Sequence, residues 1–351
     1  MTIKTDAVIV GAGPVGLFQA FQLGLQDIRC HIIDALPYVG GQCVELYGDK
    51  PIYDIPGIPL CTGRQLVAQL QQQVKPFAPT LHLEQEVVSV ARLPSGELGI
   101  HTSTQQHLVC KTLFIAAGVG AFQARKLTLE GAQAFEGTQL HYRLGDLATY
   151  AHQDVWVIGG EESAVATALQ LVHQTQHPPR SVTLMHRRDV FQAAPELEKA
   201  MRDAVAQGQL QLQIGQLTAL HSSAKNTASA DARLQTISIA TATGDTIERP
   251  AQHIVACLGL SPKLGPITQW GLAMERKQLV VNTETFATDV PGIFAVGDIN
   301  TYPGKKKLIL CGFHEATLAA FGAAAIVHPT RKTLLQYTTT STELHRLLGI
   351  A

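Results

Sequence analysis

Residues 5–34 read TDAVIVGAGPVGLFQAFQLGLQDIRCHIID, a stretch that contains two apolar runs with a glycine turn and a helical pattern between them. The run that ends at Val10 is short and β-branched, which predicts a buried parallel strand. Gly11-Ala12-Gly13-Pro14-Val15-Gly16 then leads into apolar residues at helical spacing, and the second apolar run ends at Asp34. The stretch therefore predicts a strand, a helix and a second strand in parallel.

Each part of this unit suits a bound dinucleotide. Gly11 allows a tight turn, Gly13 lets a pyrophosphate approach the backbone, and Gly16 lets the helix pack close to the strand. The amino end of the helix offers N–H groups and a positive dipole to phosphates. Asp34 can accept hydrogen bonds from ribose hydroxyls. Any strand-to-helix turn can use glycine, but the strand, helix and acid together predict a dinucleotide site.

A second unit of this kind begins at the apolar run 155–158 and continues through Gly159 and Gly160 into a helix that carries Ser163. Its second strand ends at His186-Arg187-Arg188, where the first unit has an acid. An acid there suits a free ribose, whereas arginines suit a 2′-phosphate. The contrast predicts FAD in the first unit and NADPH in the second. The candidate NADPH residues are Gly159, Gly160, Ser163, His186, Arg187 and Arg188.

Length and charge limit the class of protein. The 351 residues are enough for two domains, and a net charge of -1 with 16% charged residues argues against a nucleic-acid partner or a polybasic membrane anchor. No apolar run approaches 18 residues, and the amino terminus lacks the pattern of a signal peptide. We expect a cytoplasmic protein without a membrane segment.

Cysteine spacing argues against two further chemistries. The six cysteines are widely separated and none forms a C-x-x-C pair. The sequence therefore predicts neither the usual redox dithiol nor a cysteine-based metal site.

Two further glycine-bearing segments suit a flat ligand. Gly41 and Gln42 follow Asp34 in a loop that continues to Tyr47, a residue suited to ring stacking; an ordinary loop with a core tyrosine is the alternative. Near the carboxyl terminus, an apolar strand ends at Gly297-Asp298, where the aspartate can hydrogen-bond polyol hydroxyls.

Together these motifs resemble the two-domain flavoprotein disulfide reductase superfamily. The segments GVGAFQARKL at 118–127, LHY at 140–142 and YTTTS at 337–341 are more closely similar to the thioredoxin-reductase-like ferredoxin–NADP reductases of bacteria. The resemblance spans nearly the whole chain. The missing dithiol agrees with it, because electrons must then leave the flavin directly, and a one-electron carrier such as ferredoxin fits that need.

The resemblance implies an α/β fold with two Rossmann-like domains, the NADPH domain inserted into the FAD domain. The expected segments are 1–118 for FAD, 119–259 for NADPH and 260–351 for FAD again, with a homodimer as the assembly. The implied activity is hydride exchange between NADPH and FAD, coupled to one-electron transfer to or from ferredoxin. It needs no acid–base residue and no metal.

The resemblance also implies which residues contact FAD. Tyr47 would stack on one face of the isoalloxazine, and Tyr337 or Thr338 would cover the other face from the carboxyl-terminal tail; packing of the tail is the alternative role of Tyr337. The implied FAD contacts are Gly11, Gly13, Pro14, Gly16, Asp34, Gly41, Gln42, Tyr47, Val87, Phe122, Asp298, Thr340 and Ser341.

Two positions of the second unit depart from the family pattern. The family usually reads G-G-G-D-S-A, whereas this chain has Glu161 and Glu162 after its two glycines, and it has Gln192 where the family usually has arginine. A carboxylate beside a pyrophosphate adds like charge. We therefore expect NADPH to bind weakly, in a shifted pose or not at all.

The sequence leaves the acceptor and the role open. Lys305-Lys306-Lys307, with Arg331 and Lys332, offers a basic surface for an acidic ferredoxin, or only a solvated loop. Two alternatives to a ferredoxin reductase are a flavin oxidoreductase with another acceptor and a flavoprotein that binds or regulates without NADPH turnover.

Overall fold

Both strand, glycine turn and helix units belong to seven-stranded sheets with a parallel centre. The structure, a computed structural model, describes residues 2–223, 233–331 and 337–350. The chain divides into unit 1, Met1–Ala121 with Pro262–Ala351, and unit 2, Phe122–Ser261. The prediction of an α/β fold with two Rossmann-like domains is confirmed.

Unit 1 contains most of the strands. They are β1 (Thr2–Val10), β2 (Cys30–Ile33), β3 (Pro51–Ile52), β4 (Cys61–Thr62), β5 (Thr80–His82), β6 (Val87–Arg92), β7 (Leu98–Thr102), β8 (His107–Ile115), β18 (Met274–Glu275), β19 (Gln278–Val280), β20 (Ile293–Ala295) and β21 (Asn300–Thr301). Strand β9 (Ala121–Ala124) and strand β17 (Leu260–Lys263) lie where the chain passes from one unit to the other.

The main sheet of unit 1 has the order β5-β2-β1-β8-β7-β6, and β20 pairs with the carboxyl-terminal part of β8. Strands β5, β2, β1, β8 and β20 are parallel, and β6 and β7 continue the sheet in antiparallel pairing. Parallel strands need both faces covered. The apolar, β-branched composition that predicted β1 as a buried strand follows from this requirement.

Within the described residues, the α-helices of unit 1 are α1 (Pro14–Leu25), α2 (Gln42–Glu45), α3 (Gly63–Val74), α6 (Ile309–Val327) and, in the tail, α7 (Thr342–Leu348). Helix α3 starts at a capping box, in which Thr62 and Gln65 exchange side-chain and backbone hydrogen bonds. Helix α6 packs against α1. Its buried alanines, including Ala319, Ala320 and Ala323, allow that close packing.

By length and composition, α6 is also the single described helix that is apolar enough to cross a membrane. It contains His314 and Glu315, so its apolar run is shorter than the helix.

Unit 2 repeats the parallel arrangement. Its strands are β10 (Leu140–His141), β11 (Asp154–Ile158), β12 (Ser181–His186), β13 (Gln211–Ser222), β14 (Leu234–Thr241), β15 (Thr246–Pro250) and β16 (His253–Ala256), in the order β10-β16-β11-β12-β13-β14-β15. Strands β13, β14 and β15 form an antiparallel extension. Helix α4 (Glu162–Val172) and helix α5 (Pro195–Ala206) complete the unit.

Alternate residues of β11 belong to different hydrophobic clusters of unit 2. Val155 and Val157 pack with residues of α4 and α5. Trp156 and Ile158 instead pack with Leu140 and with residues of β13 and β14. Because successive strand residues point to opposite faces, the sheet is buried on both sides.

One histidine is enclosed in unit 2. His253 begins β16, stacks on the His141 ring and meets the edge of Tyr150, and only 9% of its surface is exposed. Burial, with a smaller contribution from His141, lowers the pKa of His253 from 6.5 to about 4.

We predict that His253 makes the folded protein acid-sensitive. Between pH 6.5 and about 4 the unfolded state binds the proton and the folded state does not, so the free energy of unfolding falls as pH falls through that window. His253→Gln removes this contribution and makes the pH dependence shallower. Urea unfolding between pH 7.5 and 4.5, followed through Trp156 fluorescence in a Trp270→Phe background, measures the slope. The matched control is the exposed His177→Gln, and an equal effect of both variants would refute the prediction.

Candidate functional site

The parallel strands of unit 1 bring distant segments to one sheet edge. Val10 pairs with both Ile33 and Ile115, and Ile115 pairs with Ala295. The segments that follow these residues therefore emerge side by side, since the carboxyl ends of parallel strands meet at one edge. They are the glycine turn at 11–16, Asp34, the segment 116–118 and Gly297-Asp298.

Close backbone contacts explain the glycines of the turn. Gly11 has φ +110°, and a Cβ there would lie 2.5 Å from the carbonyl oxygen of Ala116. A Cβ on Gly16 would overlap the carbonyl oxygen of Gly11. Gly13 differs, because a Cβ there would meet nothing within 4 Å. The space beside Gly13 is open, which is where a pyrophosphate needs access to the backbone.

The amino end of α1 faces this turn without a side-chain partner. Pro14 occupies the first helical position, no side chain in the described part of the chain caps the helix, and no acid lies in its first turn. The N–H groups of the first turn and the positive end of the helix dipole therefore favour an anion.

Asp34 is held at the end of β2. Its carboxylate accepts hydrogen bonds from the backbone N–H of Ala12, at 2.6 Å, and of Leu36, at 2.8 Å. Burial raises the pKa of Asp34, and these two bonds partly oppose that shift. The acid thus joins the glycine turn to the following loop. The backbone of Asp34 also bonds to His82 and Gln85, in the segment that leads to the buried Val87.

The loop after Asp34 returns to the glycine turn. Gly40 N–H donates to the carbonyl of Ala12 at 2.9 Å, and a Cβ on Gly41 would lie 3.3 Å from the Cα of Gly13. The Gln42 amide then donates to the Asp298 carboxylate at 3.4 Å, although 256 positions separate the two residues. The structure thus brings together Gly13, Gly41, Gln42 and Asp298.

Tyr47 lies near the same group of residues. Its hydroxyl accepts a hydrogen bond from the Cys43 thiol at 3.3 Å. Burial and the negative charges of Asp298 and Asp54 raise the pKa of Tyr47, so the phenol stays neutral at physiological pH. The sequence missed this role of Cys43, although a cysteine four positions before a tyrosine in a short helical segment is a detectable signal.

A buried ion pair supports the Gly297-Asp298 segment. Glu315 on α6 is fully buried and pairs with Lys305. The same carboxylate accepts from Gly297 N–H at 2.7 Å, from the Asn300 amide at 2.8 Å and from the Tyr302 hydroxyl at 2.9 Å. Lys305 also donates to the Gly297 carbonyl at 2.9 Å. This network was not predicted from the sequence, although a lone acid in an alanine-rich helix signals a buried partner.

The predicted basic surface is wrong for Lys305. Its side chain is only 6% exposed because it pairs with Glu315, whereas Lys306 and Lys307 are exposed. Arg331 pairs with Asp27 at 3.4 Å, and both side chains are largely exposed. Lys332 lies outside the described residues.

The tail residues make local contacts. Tyr337 is 68% exposed, and its carbonyl accepts from the N–H and hydroxyl of Thr340. Ser341 caps α7 through Leu344 N–H, which accounts for its burial. Within the described ranges, no hydrogen bond links Thr340 or Ser341 to Tyr47 or Asp298. Phe122 lies on β9, and its side chain lies outside the described part of the structure.

Unit 2 has its own glycine turn after β11. A Cβ on Gly159 would overlap the carbonyl oxygen of Cys257, and a Cβ on Gly160 would overlap the His186 ring. His186 therefore packs directly on the turn. Burial and the two neighbouring arginines lower the pKa of His186. Ser163, Arg187 and Arg188 are exposed beside this turn, at the carboxyl edge of the sheet.

The two departures from the family pattern pair with each other. The backbone of Gln192 returns to the glycine turn, where its N–H donates to the Gly160 carbonyl at 2.8 Å, and it forms a β-bridge with Glu161. Glu161 is the residue just before α4, and its exposed carboxylate lies over Gly259, 3.1 Å from where a Cβ of that glycine would be.

The described residues contain neither a candidate metal site nor a disulfide bond. No group of three or more histidine, cysteine, aspartate or glutamate side chains there is arranged to hold a metal ion. All six cysteines are free thiols.

We predict that Glu315→Gln destabilises the protein by about 3–5 kcal/mol, the usual cost of leaving one partner of a buried ion pair uncompensated. Urea unfolding measures this loss. The control is Glu343→Gln, which breaks an exposed pair with Arg346 and therefore costs much less. Replacing both partners, Lys305→Met with Glu315→Gln, recovers part of the loss. A Glu315→Gln cost no larger than that of the control would contradict the prediction.

Solved structures support the fold. A Lactococcus lactis thioredoxin reductase in the FR conformation aligns with a TM-score of 0.58 at 23% identity, and covers 92% of this chain and 99% of that one. A bacillithiol disulfide reductase from Staphylococcus aureus aligns with a TM-score of 0.61 at 19% identity over the same shares. At these identities the likeness concerns the fold.

Sequence relatives are much closer. The profile of the pyridine nucleotide-disulphide oxidoreductase family matches residues 48–297. A protein named ferredoxin–NADP reductase 2 from Cupriavidus metallidurans is 52% identical over 348 residues, which cover 99% of this chain and 92% of the relative. A ferredoxin–NADP reductase from Methylibium petroleiphilum is 50% identical over the same length, 99% of this chain and 93% of the relative. The resemblance inferred from the motifs is confirmed: the chain belongs to the pyridine nucleotide-disulphide oxidoreductase family, in the group whose members are named ferredoxin–NADP reductases.

Proposed function

We propose that the protein is an FAD-dependent ferredoxin–NADP reductase, in which unit 1 binds FAD and unit 2 binds NADPH. The observation that carries the proposal is the contrast between two similar sheet edges. In unit 1 an acid follows the second strand, and in unit 2 an arginine pair does. Relatives about half identical over nearly the full length carry this name, which supports the same activity here.

The residues of unit 1 fit a dinucleotide. The open space beside Gly13 and the amino end of α1 suit the pyrophosphate. The carboxylate of Asp34 is held where it could accept hydrogen bonds from the ribose hydroxyls. Gly11, Pro14, Gly16, Gly41 and Val87 would shape the walls of this site. We assign Asp298 to the polyol chain, as proposed from the sequence.

The flavin ring would lie against Tyr47, whose position the Cys43 bond supports. Gln42 and Asp298 would orient ring and polyol oxygens through their shared hydrogen bond. For Tyr337, Thr340 and Ser341 the proposal requires the tail to approach the ring, and the large exposure of Tyr337 leaves its side chain available for that contact. Phe122 completes the proposed set.

The residues of unit 2 fit NADPH less fully. Gly159, Gly160 and Ser163 would meet the pyrophosphate, and Arg187 and Arg188 would bind the 2′-phosphate. Both side chains are exposed, and the adjacent Asp189 pairs with Arg202, so the two guanidinium groups are available to an anion. The ring of His186 would support the glycine turn by packing against Gly160. The carboxylate of Glu161 opposes the binding of the diphosphate by like charge.

When bound, the flavin supplies the chemistry that links two-electron exchange with NADPH to one-electron exchange with an iron–sulfur protein. The side chains of this protein would orient and hold the flavin and the nicotinamide nucleotide. None of them is assigned a proton-transfer step. The neutral phenol of Tyr47 suits a packing role against an aromatic ring, since an ionised phenolate would be costly to bury.

The partner proposed for electron exchange is ferredoxin, with Lys306 and Lys307 as exposed charges able to steer an acidic protein. The same proposal includes a homodimer, which the family resemblance supports. It also includes a cytoplasmic location, in keeping with a sequence whose charge pattern suits neither a membrane surface nor nucleic acid. Glu161 favours the alternative of a flavoprotein that binds or regulates without NADPH turnover. A flavin oxidoreductase with another acceptor also stays open.

Anaerobic titration of the purified yellow protein with NADPH tests the proposal. We expect NADPH to bleach the visible flavin absorbance and NADH to do so less well, because only NADPH carries a 2′-phosphate for Arg187 and Arg188. A ferredoxin-coupled cytochrome c assay then separates a ferredoxin reductase from an enzyme with another acceptor. If dithionite bleaches the flavin and neither nucleotide does, the reductase assignment fails.

We predict that Glu161 weakens NADPH binding. Glu161→Gln removes the charge, and Glu161→Gly also removes the side chain that lies over Gly259. We expect the dissociation constant for NADP, measured by calorimetry, to fall by up to roughly fivefold in Glu161→Gln, the scale of an exposed charge interaction. Glu161→Gly should bind at least as tightly. The exposed control Glu248→Gln leaves binding unchanged, and unchanged binding in both Glu161 variants would disprove the effect.

A further inference from the structure

A polar groove of about 510 Å³ opens on unit 2 at the amino-terminal ends of its parallel strands. Its volume lies within the range of small-molecule sites, roughly 300–1,000 Å³. The polar side chains that line the groove include Gln139, Asp154, Arg180, Arg233, Gln252 and His253.

The groove is separate from the proposed NADPH site. Asp154 begins β11 at the groove, and Gly159 follows the opposite end of that strand. Five residues of strand span about 16 Å. The groove and the arginine pair after β12 therefore lie at opposite edges of the sheet.

The acidic group in the groove is already neutralised. Asp154 accepts from the Arg180 guanidinium at 3.1 Å and from the Ser181 hydroxyl at 2.8 Å, one bond on each oxygen. Arg233 is exposed, and its guanidinium has no partner within the described part of the chain. Among the described residues that line it, the groove thus keeps one positive charge without an acidic partner.

Polar groups of two further lining residues, Gln252 and His253, have no partner among the described residues. The Gln139 amide is fully used, since it donates to the Leu234 and Gln252 carbonyls and accepts from Leu234 N–H. Gln252 uses its side-chain oxygen to accept from Asp154 N–H at 3.0 Å, which leaves its amide donors available. His253 is 91% buried, the complement of its 9% exposure, and its Nδ1 has no partner among the described residues.

We propose that this groove binds a small anion that carries a carboxylate or phosphate group, held by the guanidinium groups of Arg233 and Arg180 and by the free amide of Gln252. A planar guanidinium binds either oxyanion through two parallel hydrogen bonds. The exposed side-chain amide of Gln235, which also lines the groove, lies where it can add a further bond. This inference does not rest on the proposed reductase function.

Calorimetric titration of the full holoprotein with inorganic phosphate and with citrate tests the proposal and distinguishes the two ligand chemistries. We expect saturable binding of at least one probe, and affinity lower by roughly tenfold or more in Arg233→Gln, because a charge-assisted bond is lost. Gln235→Glu places a like charge in the groove and should weaken the same binding. Both positions are exposed, so both variants are expected to fold.

Two controls separate this groove from other anion sites. Arg249→Gln changes an exposed arginine of β15 that does not line the groove, and it should leave binding unchanged. The double variant Arg187→Gln with Arg188→Gln removes the proposed 2′-phosphate site and should leave unchanged the component of binding that Arg233→Gln abolishes. Absence of saturable binding, binding insensitive to Arg233→Gln and Gln235→Glu, or loss of the Arg233-dependent component in the double variant would overturn the proposal. NADPH reduction of the flavin is read separately, so the two proposals can fail independently.

Discussion

The turn between β1 and α1 depends on two close backbone contacts in sequence. Gly16 lies against the carbonyl of Gly11, and Gly11 lies against the carbonyl of Ala116, so that neither position has room for a Cβ. This packing lets α1 begin directly above the sheet. It also sets where Asp34 can reach, because the carboxylate bonds to Ala12 within the same turn. The arrangement of the candidate site follows from backbone packing before any ligand is considered.

Much of unit 1 was predictable because its signals are local. The strand up to Val10, the helix from Pro14 and the strand up to Ile33 all follow from composition and spacing within thirty positions. The parallel register could also be anticipated, since a β-α-β crossover places its two strands in one sheet. The meeting of Gln42 with Asp298 could be expected only through the family resemblance, because nothing local links positions so far apart.

The interpretation of Lys305 failed for a physical reason. Three consecutive lysines indicate a solvated surface, yet Lys305 is buried because Glu315 supplies an opposite charge from a helix that comes later in the chain. Sequence patterns report the average environment of a residue type, whereas a buried charge depends on one specific partner. The role of Ser341 likewise depends on one specific partner, because its hydroxyl caps α7. The pairing of Gln192 with the Gly160 turn was equally invisible, because it involves backbone atoms.

The burial of the cysteines has a consequence for thiol reactivity. The nucleophilic form of cysteine is the thiolate, and burial raises the pKa of Cys30 and Cys110 to about 12 and also raises those of Cys43, Cys61 and Cys257. Burial therefore disfavours the thiolate of these five side chains, which is the form that reacts with peroxide, alkylating agents and mixed disulfides. These five thiols are therefore poor electron acceptors beside a redox cofactor, which helps to keep electrons on the path between the cofactor and its partner.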